Sequence, residues 1–171
     1  MFALPKQPSS PSKNNQSVIF FDIDGTLLLT RSGRSILSEV FHRQHGVPGA
    51  FDDVDFSGRT DPLIIHKVAE DNDVQLRKDQ YESLCDDYYQ RLCLNLDGNV
   101  QIMPGVPELI RRLHSGSIRL GLITGNNHRG ASIKLNHVNL TRFFEGGAFG
   151  EDGPERQAIV NTALERFSVN P

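Results

Sequence analysis

Two aspartates carry the strongest chemical signal in the chain. Val18-Ile19-Phe20-Phe21 is an unbroken apolar run, which reads as a strand buried on both faces. Asp22 ends it, and Asp24 follows two residues later with Gly25-Thr26. A carboxylate at the end of an apolar strand is costly unless something cationic compensates it. A divalent metal does so, and carboxylates with carbonyls are hard ligands suited to Mg²⁺. The competing reading is a plain hairpin, with Asp-Gly as the turn and Leu27-Leu28-Leu29 as the return strand. That reading leaves Asp22 unexplained.

Other residues could serve the same chemistry, and each has a plainer reading beside it. Ile118 to Thr124 is a second buried-strand run, and Thr124-Gly125-Asn126 closes it with a hydroxyl. Alone, those three residues are a strand-to-helix turn. Lys134 lies three after Ala131 and four before Val138, so it shares the apolar stripe of a helix. A lysine there needs an anionic partner, or must snorkel past the helix edge. Thr60 and Asp61 read as N′ and N-cap of a helix begun by Pro62; the functional alternative is that Arg59 or Thr60 reaches down to select a substrate. The six histidines show no zinc spacing. Cys85 and Cys93 sit eight apart on one helix, too far to bridge, and read as two buried thiols in a reducing cytoplasm.

The elements that position these residues follow from periodicity. Between the two apolar runs the chain reads mainly as helix. Ile36, Leu37, Val40 and Phe41 share one face, Asp61-Pro62 opens a second helix, and the clearest helix runs from Tyr81 to Leu96. Its stripe of Tyr81, Leu84, Cys85, Tyr88, Tyr89, Leu92 and Cys93 reads as core packing. Pro104-Gly105-Val106-Pro107 opens a further helix with Val106, Leu109, Ile110 and Leu113 on one face. After the second strand come a helix at about 130–138, a short third strand within Gly146 to Phe149, and a helix from Pro154 to Phe167. Alternating strands and helices predict an α/β fold with a doubly wound, Rossmann-like parallel sheet. Its domains would be a disordered leader at 1–17, a core of 18–30 with 104–171, and a helical cap at 31–103 over the strands' carboxyl ends, where ligands bind.

Bulk properties narrow the partners. A net charge of −3 gives no reason to expect nucleic acid or an anionic membrane. No apolar run approaches the ~18 residues that span a bilayer, and Met1 to Ser17 lacks the apolar core of a signal peptide. A cytoplasmic location is expected.

Phe20-Phe21-Asp22-Ile23-Asp24-Gly25-Thr26 resembles the first motif of the haloacid dehalogenase superfamily. Leu122-Ile123-Thr124-Gly125-Asn126 is similar to its second. Pro104-Gly105-Val106 and Gly58-Arg59-Thr60-Asp61-Pro62 resemble members related to phosphoglycolate phosphatases. The resemblance runs from Val18 to about Phe167. It implies Mg²⁺-dependent hydrolysis of a small phosphorylated metabolite, with Asp22 as nucleophile forming an aspartyl-phosphate and Asp24 as acid and base. Both would hold the metal, Asp24 through its backbone carbonyl. Thr124, with Gly125 and Asn126, would bind the phosphoryl oxygens. Lys134 is the candidate for the third-motif cation, with Arg129 and Arg156 as alternatives.

The family's fourth motif, a pair of acids on a further strand, finds no match before Pro171. By analogy the chain is expected to be a truncated member, with self-association through an open sheet edge beside Val18–Phe21. Two other readings stay open: a non-catalytic remnant, and a phosphosugar mutase. Glu151-Asp152 reads as a loop and is the first place for a substitute metal ligand. Asp24 argues against the dehalogenase branch.

Overall fold

The computed structural model describes residues 4–7, 17–116, 118–153 and 155–168. Three parallel strands form the main sheet: β1 (Val18–Phe21), β4 (Arg119–Ile123) and β5 (Gly147–Ala148), in the order β1-β4-β5. Val18 pairs with Arg119, and Leu122 with Gly147. The unbroken apolar character of β1 has a direct cause. Ile19 and Phe21 pack into a cluster with Ile110 of α4 (Val106–Ser115) and Ala131 and Leu135 of α5 (His128–His137). Phe20 points the other way, joining Ile159 and Ala163 of α6 (Arg156–Arg166) and meeting the Phe167 ring edge-on at 5.0 Å. With helices on both faces, each strand residue needs an apolar side chain, so the α/β reading holds on a small sheet. Among the described residues β1 has a strand neighbour on one side only.

Residues between β1 and β4 form a helical unit with its own core. α1 (Gly33–His45), α2 (Asp61–Asp71) and α3 (Lys78–Leu94) enclose Val40, Phe41, Phe51, Leu84 and Leu92, all fully buried. The chain enters and leaves this unit through an antiparallel pair, β2 (Leu28–Thr30) with β3 (Val100–Ile102). The return-strand reading of Leu27-Leu28-Leu29 is thereby corrected. Leu28 to Thr30 pairs with residues beyond the helices, and the turn after Asp22 is closed by Thr26, Leu27 and Leu28 N–H groups on the Ile23 carbonyl.

Four further expectations need correction. Cys93 is exposed, although Cys85 is buried and both thiols are free. Leu109 is 46 % exposed, because only Val106 and Ile110 of α4 face inward fully. Thr60 is the N-cap of α2 and Asp61 its first residue, so the helix begins one residue earlier than the sequence suggests. The leader is not uniformly unstructured: Leu4 is buried in the sheet's core cluster, its carbonyl bonded to His128 Nε2 at 2.6 Å, and Lys6 pairs with Glu151. Polar composition hid one apolar anchor. Residues 1–3, 8–16, Ser117, Pro154 and 169–171 lie outside the described residues. No described helix is long and apolar enough to cross a membrane.

Candidate active site

Parallel strands end their carboxyl-terminal tips together, so Asp22 and Asp24 after β1 stand beside Thr124, Gly125 and Asn126 after β4. The helical unit forms a cap over these tips and leaves a cavity of about 350 Å³ between cap and core. Arg34, Arg59, Asp61, Tyr88 and Tyr89 line it from the cap side, Lys134 and Arg156 from the core.

Each carboxylate has its own cation. Asp22 Oδ1 accepts the Ile23 N–H at 2.7 Å, and its Oδ2 accepts from the Arg156 guanidinium at 2.8 Å. Asp24 Oδ2 accepts from Lys134 Nζ at 2.6 Å and from Asn126 Nδ2 at 2.8 Å. Lys134 also donates to Asn126 Oδ1 at 2.7 Å and is 5 % exposed. The buried lysine on the apolar stripe therefore has its anionic partner and does not snorkel. Burial presses the Asp24 pKa upward, but the Lys134 ammonium and the bonds from Lys134 and Asn126 outweigh it, leaving Asp24 below the usual range.

Thr124 is fully buried, and its Oγ1 accepts from the Asn126 N–H at 3.2 Å and from Asn126 Nδ2 at 2.9 Å. With its oxygen occupied, its own O–H remains available as a donor, and Thr124 lines the cavity. Among the cap residues with a sequence signal, Arg59 lines the cavity and Thr60 does not. Thr60 is 1 % exposed, and its hydroxyl accepts the Leu63 N–H at 3.3 Å as a helix cap. Of the alternative cations, Arg129 of α5 is turned to the cap helix α3, paired with Asp86 and set over the Tyr89 ring at 5.1 Å. Arg156 reaches Asp22.

Three cavity residues carry no such signal in the sequence. Tyr88 and Tyr89 belong to the apolar stripe of α3, and their spacing cannot separate core from cavity wall. Asp61 reads as a helix cap. Its carboxylate instead accepts the Asn127 N–H at 3.0 Å. Burial pushes the Asp61 pKa up to about 6 despite the opposing pull of Lys134 and that bond.

No three His, Cys, Asp or Glu side chains among the described residues are grouped to hold a metal. The donors present still suit one kind of ion. Mg²⁺ keeps several waters and is commonly held by one or two carboxylates plus substrate phosphate. The Asp22 carboxylate, with lone pairs beyond those used by Ile23 and Arg156, and the Asp24 carbonyl fit that pattern. Glu151 and Asp152 are not spare ligands: Glu151 accepts the His128 N–H and pairs with Lys6, and Asp152 pairs with Arg166.

Residues 19–171 match the family described as haloacid dehalogenase-like hydrolase. The chain belongs to the haloacid dehalogenase-like hydrolase family. A phosphoglycolate phosphatase from Vibrio vulnificus is 24 % identical over 166 residues, covering 90 % of this chain and 71 % of that protein. Among solved structures, CbbY from Rhodobacter sphaeroides in complex with phosphate superposes with a TM-score of 0.71 at 20 % identity, over 92 % of this chain and 75 % of that one. A hydrolase from Pseudomonas syringae gives 0.68 at 18 % identity, over 91 % and 72 %.

Proposed function

We propose that the chain hydrolyses a small phosphomonoester by covalent catalysis at Asp22, with Mg²⁺ as cofactor. The observation that carries this reading is the convergence of Asp22, Asp24, Thr124, Asn126, Lys134 and Arg156 on one cavity beneath a cap. An anion entering there meets Lys134 and Arg156 from the core, Arg34 and Arg59 from the cap, and the Thr124 hydroxyl, whereas a neutral substrate would leave Arg156 and Lys134 without a use beyond the two carboxylates.

An Asp22 carboxylate oxygen attacks phosphorus, the bond to the ester oxygen breaks, and Asp24 gives that oxygen a proton. Water, deprotonated by Asp24, then attacks the aspartyl-phosphate. The bond from phosphorus to Asp22 breaks, releasing inorganic phosphate and restoring both carboxyl groups. The Asp22 carboxylate and the Asp24 carbonyl would hold Mg²⁺, which would supply positive charge against the phosphate and Asp22. Thr124 O–H and nearby backbone N–H groups bind phosphoryl oxygens, and Arg156 shares its charge between Asp22 and the incoming phosphoryl group.

Asp24 with a lowered pKa is suited to the water-activating half. The protonating half needs a proton that Asp24 first takes up from solvent. The phosphoryl charge draws the Lys134 ammonium off Asp24, its pKa rises, and it binds that proton and gives it to the ester oxygen. The proton later taken from the attacking water returns to solvent. One residue can thus serve both halves through a single shared cation. The partner is a small phosphorylated metabolite, neither nucleic acid nor a membrane surface, and the mutase reading gains no specific support.

Turnover of an aryl phosphate with Mg²⁺ tests the proposal. Asp22→Asn should abolish it, because an amide cannot form the acyl-phosphate. The Asp22–Arg156 pair is part-exposed, so thermal stability should change by no more than about 1 kcal/mol. A variant turning over at more than roughly a tenth of the wild-type rate, a loss of only ~1.4 kcal/mol in barrier, would remove Asp22 from the role of nucleophile.

A further inference from the structure

Asp61 opens α2 in the cap, yet both of its polar ends are bonded to the core. Its N–H donates to the Gly125 carbonyl at 2.8 Å, and its carboxylate accepts the Asn127 N–H at 3.0 Å. One cap residue thereby brackets Asn126 on both sides. Its own helix does not need this, since Thr60 already caps α2 by accepting from Leu63. The backbones meet unusually closely here. A Cβ at Gly125 would stand 2.2 Å from the Arg59 carbonyl oxygen, so only glycine permits the approach. A second cap helix arrives at the same turn, where Asn127 Nδ2 donates to the Tyr81 hydroxyl at 3.1 Å.

We propose that Asp61 is a positioning residue that clasps the cap to the Thr124–Asn127 turn and thereby sets that turn for anion binding. It acts through the turn and takes no part in the chemistry itself. The inference deepens the phosphatase reading, because the anion in question is the phosphoryl group. Charge alone predicts the opposite effect. Asp61 is an acid lining an anion site, facing Lys134 of α5, Asp24 after β1 and Glu151 after β5. Deleting an acid there should strengthen anion binding; deleting a clasp should weaken it.

Three variants of the full chain, each checked for folding by circular dichroism, separate the two. Asp61→Ala removes acceptor and charge, Asp61→Asn keeps an oxygen acceptor without the charge, and Gly125→Ala forces the backbones apart with no charge change. Inorganic phosphate is the probe, with amide hydrogen exchange at Asn127 as the second readout. Asp61→Ala should speed Asn127 exchange by about tenfold or more, as expected for losing a hydrogen bond to a charged group. It should also weaken phosphate binding by at least about fivefold, the low end of site-to-site coupling. Gly125→Ala should do the same, and Asp61→Asn should stay near wild type. An Asn127 amide still protected in Asp61→Ala, or phosphate bound as tightly as in wild type or more tightly, overturns the clasp. A wild-type protein that binds no phosphate defeats the phosphatase reading instead, and the exchange rates then decide the clasp by themselves.

Discussion

Asp22 and Asp24 differ in partner, and the proposed mechanism gives them different roles. Asp24, bound to Lys134 and Asn126, is held ionised. Asp24→Asn should slow aryl phosphate turnover by roughly 10²–10⁴, the usual loss for general acid–base help. The loss should shrink for substrates whose leaving groups need little protonation. Equal losses across good and poor leaving groups, measured as kcat, would mean that Asp24 serves chiefly to hold the metal. Asp61 gives a second residue-level test, through pH. Its folded-state pKa is raised to about 6 from 3.8, so between those values the folded protein holds a proton that the unfolded chain has released. Stability attributable to Asp61 is therefore highest at low pH and falls as pH rises through that window. Asp61→Asn never carries the charge, so it should melt higher than wild type at pH 8 and lose that advantage near pH 4. Asp24 runs the other way: its contribution is present above its ordinary pKa and is lost as acid protonates it. Asp22 and Asp24 were legible in the sequence because an acid at the end of an apolar strand is costly without a cation to meet it. Asp61 was not, since an acid before a helix-opening proline is what ordinary helix capping produces.

At the scale of elements, α5 and α6 each deliver one cation to the site, which explains why the sequence left the choice of cation open. Lys134 stood out because α5 buries it on an apolar stripe. Arg156 is the first residue of α6, where an exposed cation is unremarkable, and only the packing of α6 beneath β1 aims it at Asp22. The two can be told apart kinetically. Lys134→Met should raise the Asp24 pKa and shift the acid limb of the pH–rate profile upward. Arg156→Met should weaken phosphate binding and leave that limb in place. Matching profiles for the two variants would mean that the cations are not assigned to separate carboxylates. The main helices and strands were readable because their periods are strong. β2 and β3 were not, since three residues each carry no period, and their pairing joins segments on either side of the whole cap.

At the scale of the molecule, the described residues form three apolar clusters, one on each face of the sheet and one in the helical cap, and core and cap meet at a polar seam. The candidate site sits in the seam because strand tips, an incoming backbone and several charges can converge there around an open cavity. The alternation of strands and helices made the core's class legible, and the long helical stretch made the cap legible as an insertion. How closely the two approach was not, because closeness is decided by backbone contacts at Gly125 and Gly150 that leave no periodic trace. A Cβ at Gly150 would lie 2.3 Å from the Gly125 carbonyl oxygen and 3.2 Å from Pro62 of the cap. The proposed function turns on one event, transfer of a phosphoryl group onto Asp22. The most direct measurement is to mix the protein with an aryl phosphate and Mg²⁺, quench with borohydride, and map the peptides by mass spectrometry. Reduction of an aspartyl-phosphate leaves homoserine, and that conversion is expected at position 22 and at no other acid. Turnover that proceeds with Asp22 unmodified, or conversion at position 24 instead, would contradict it.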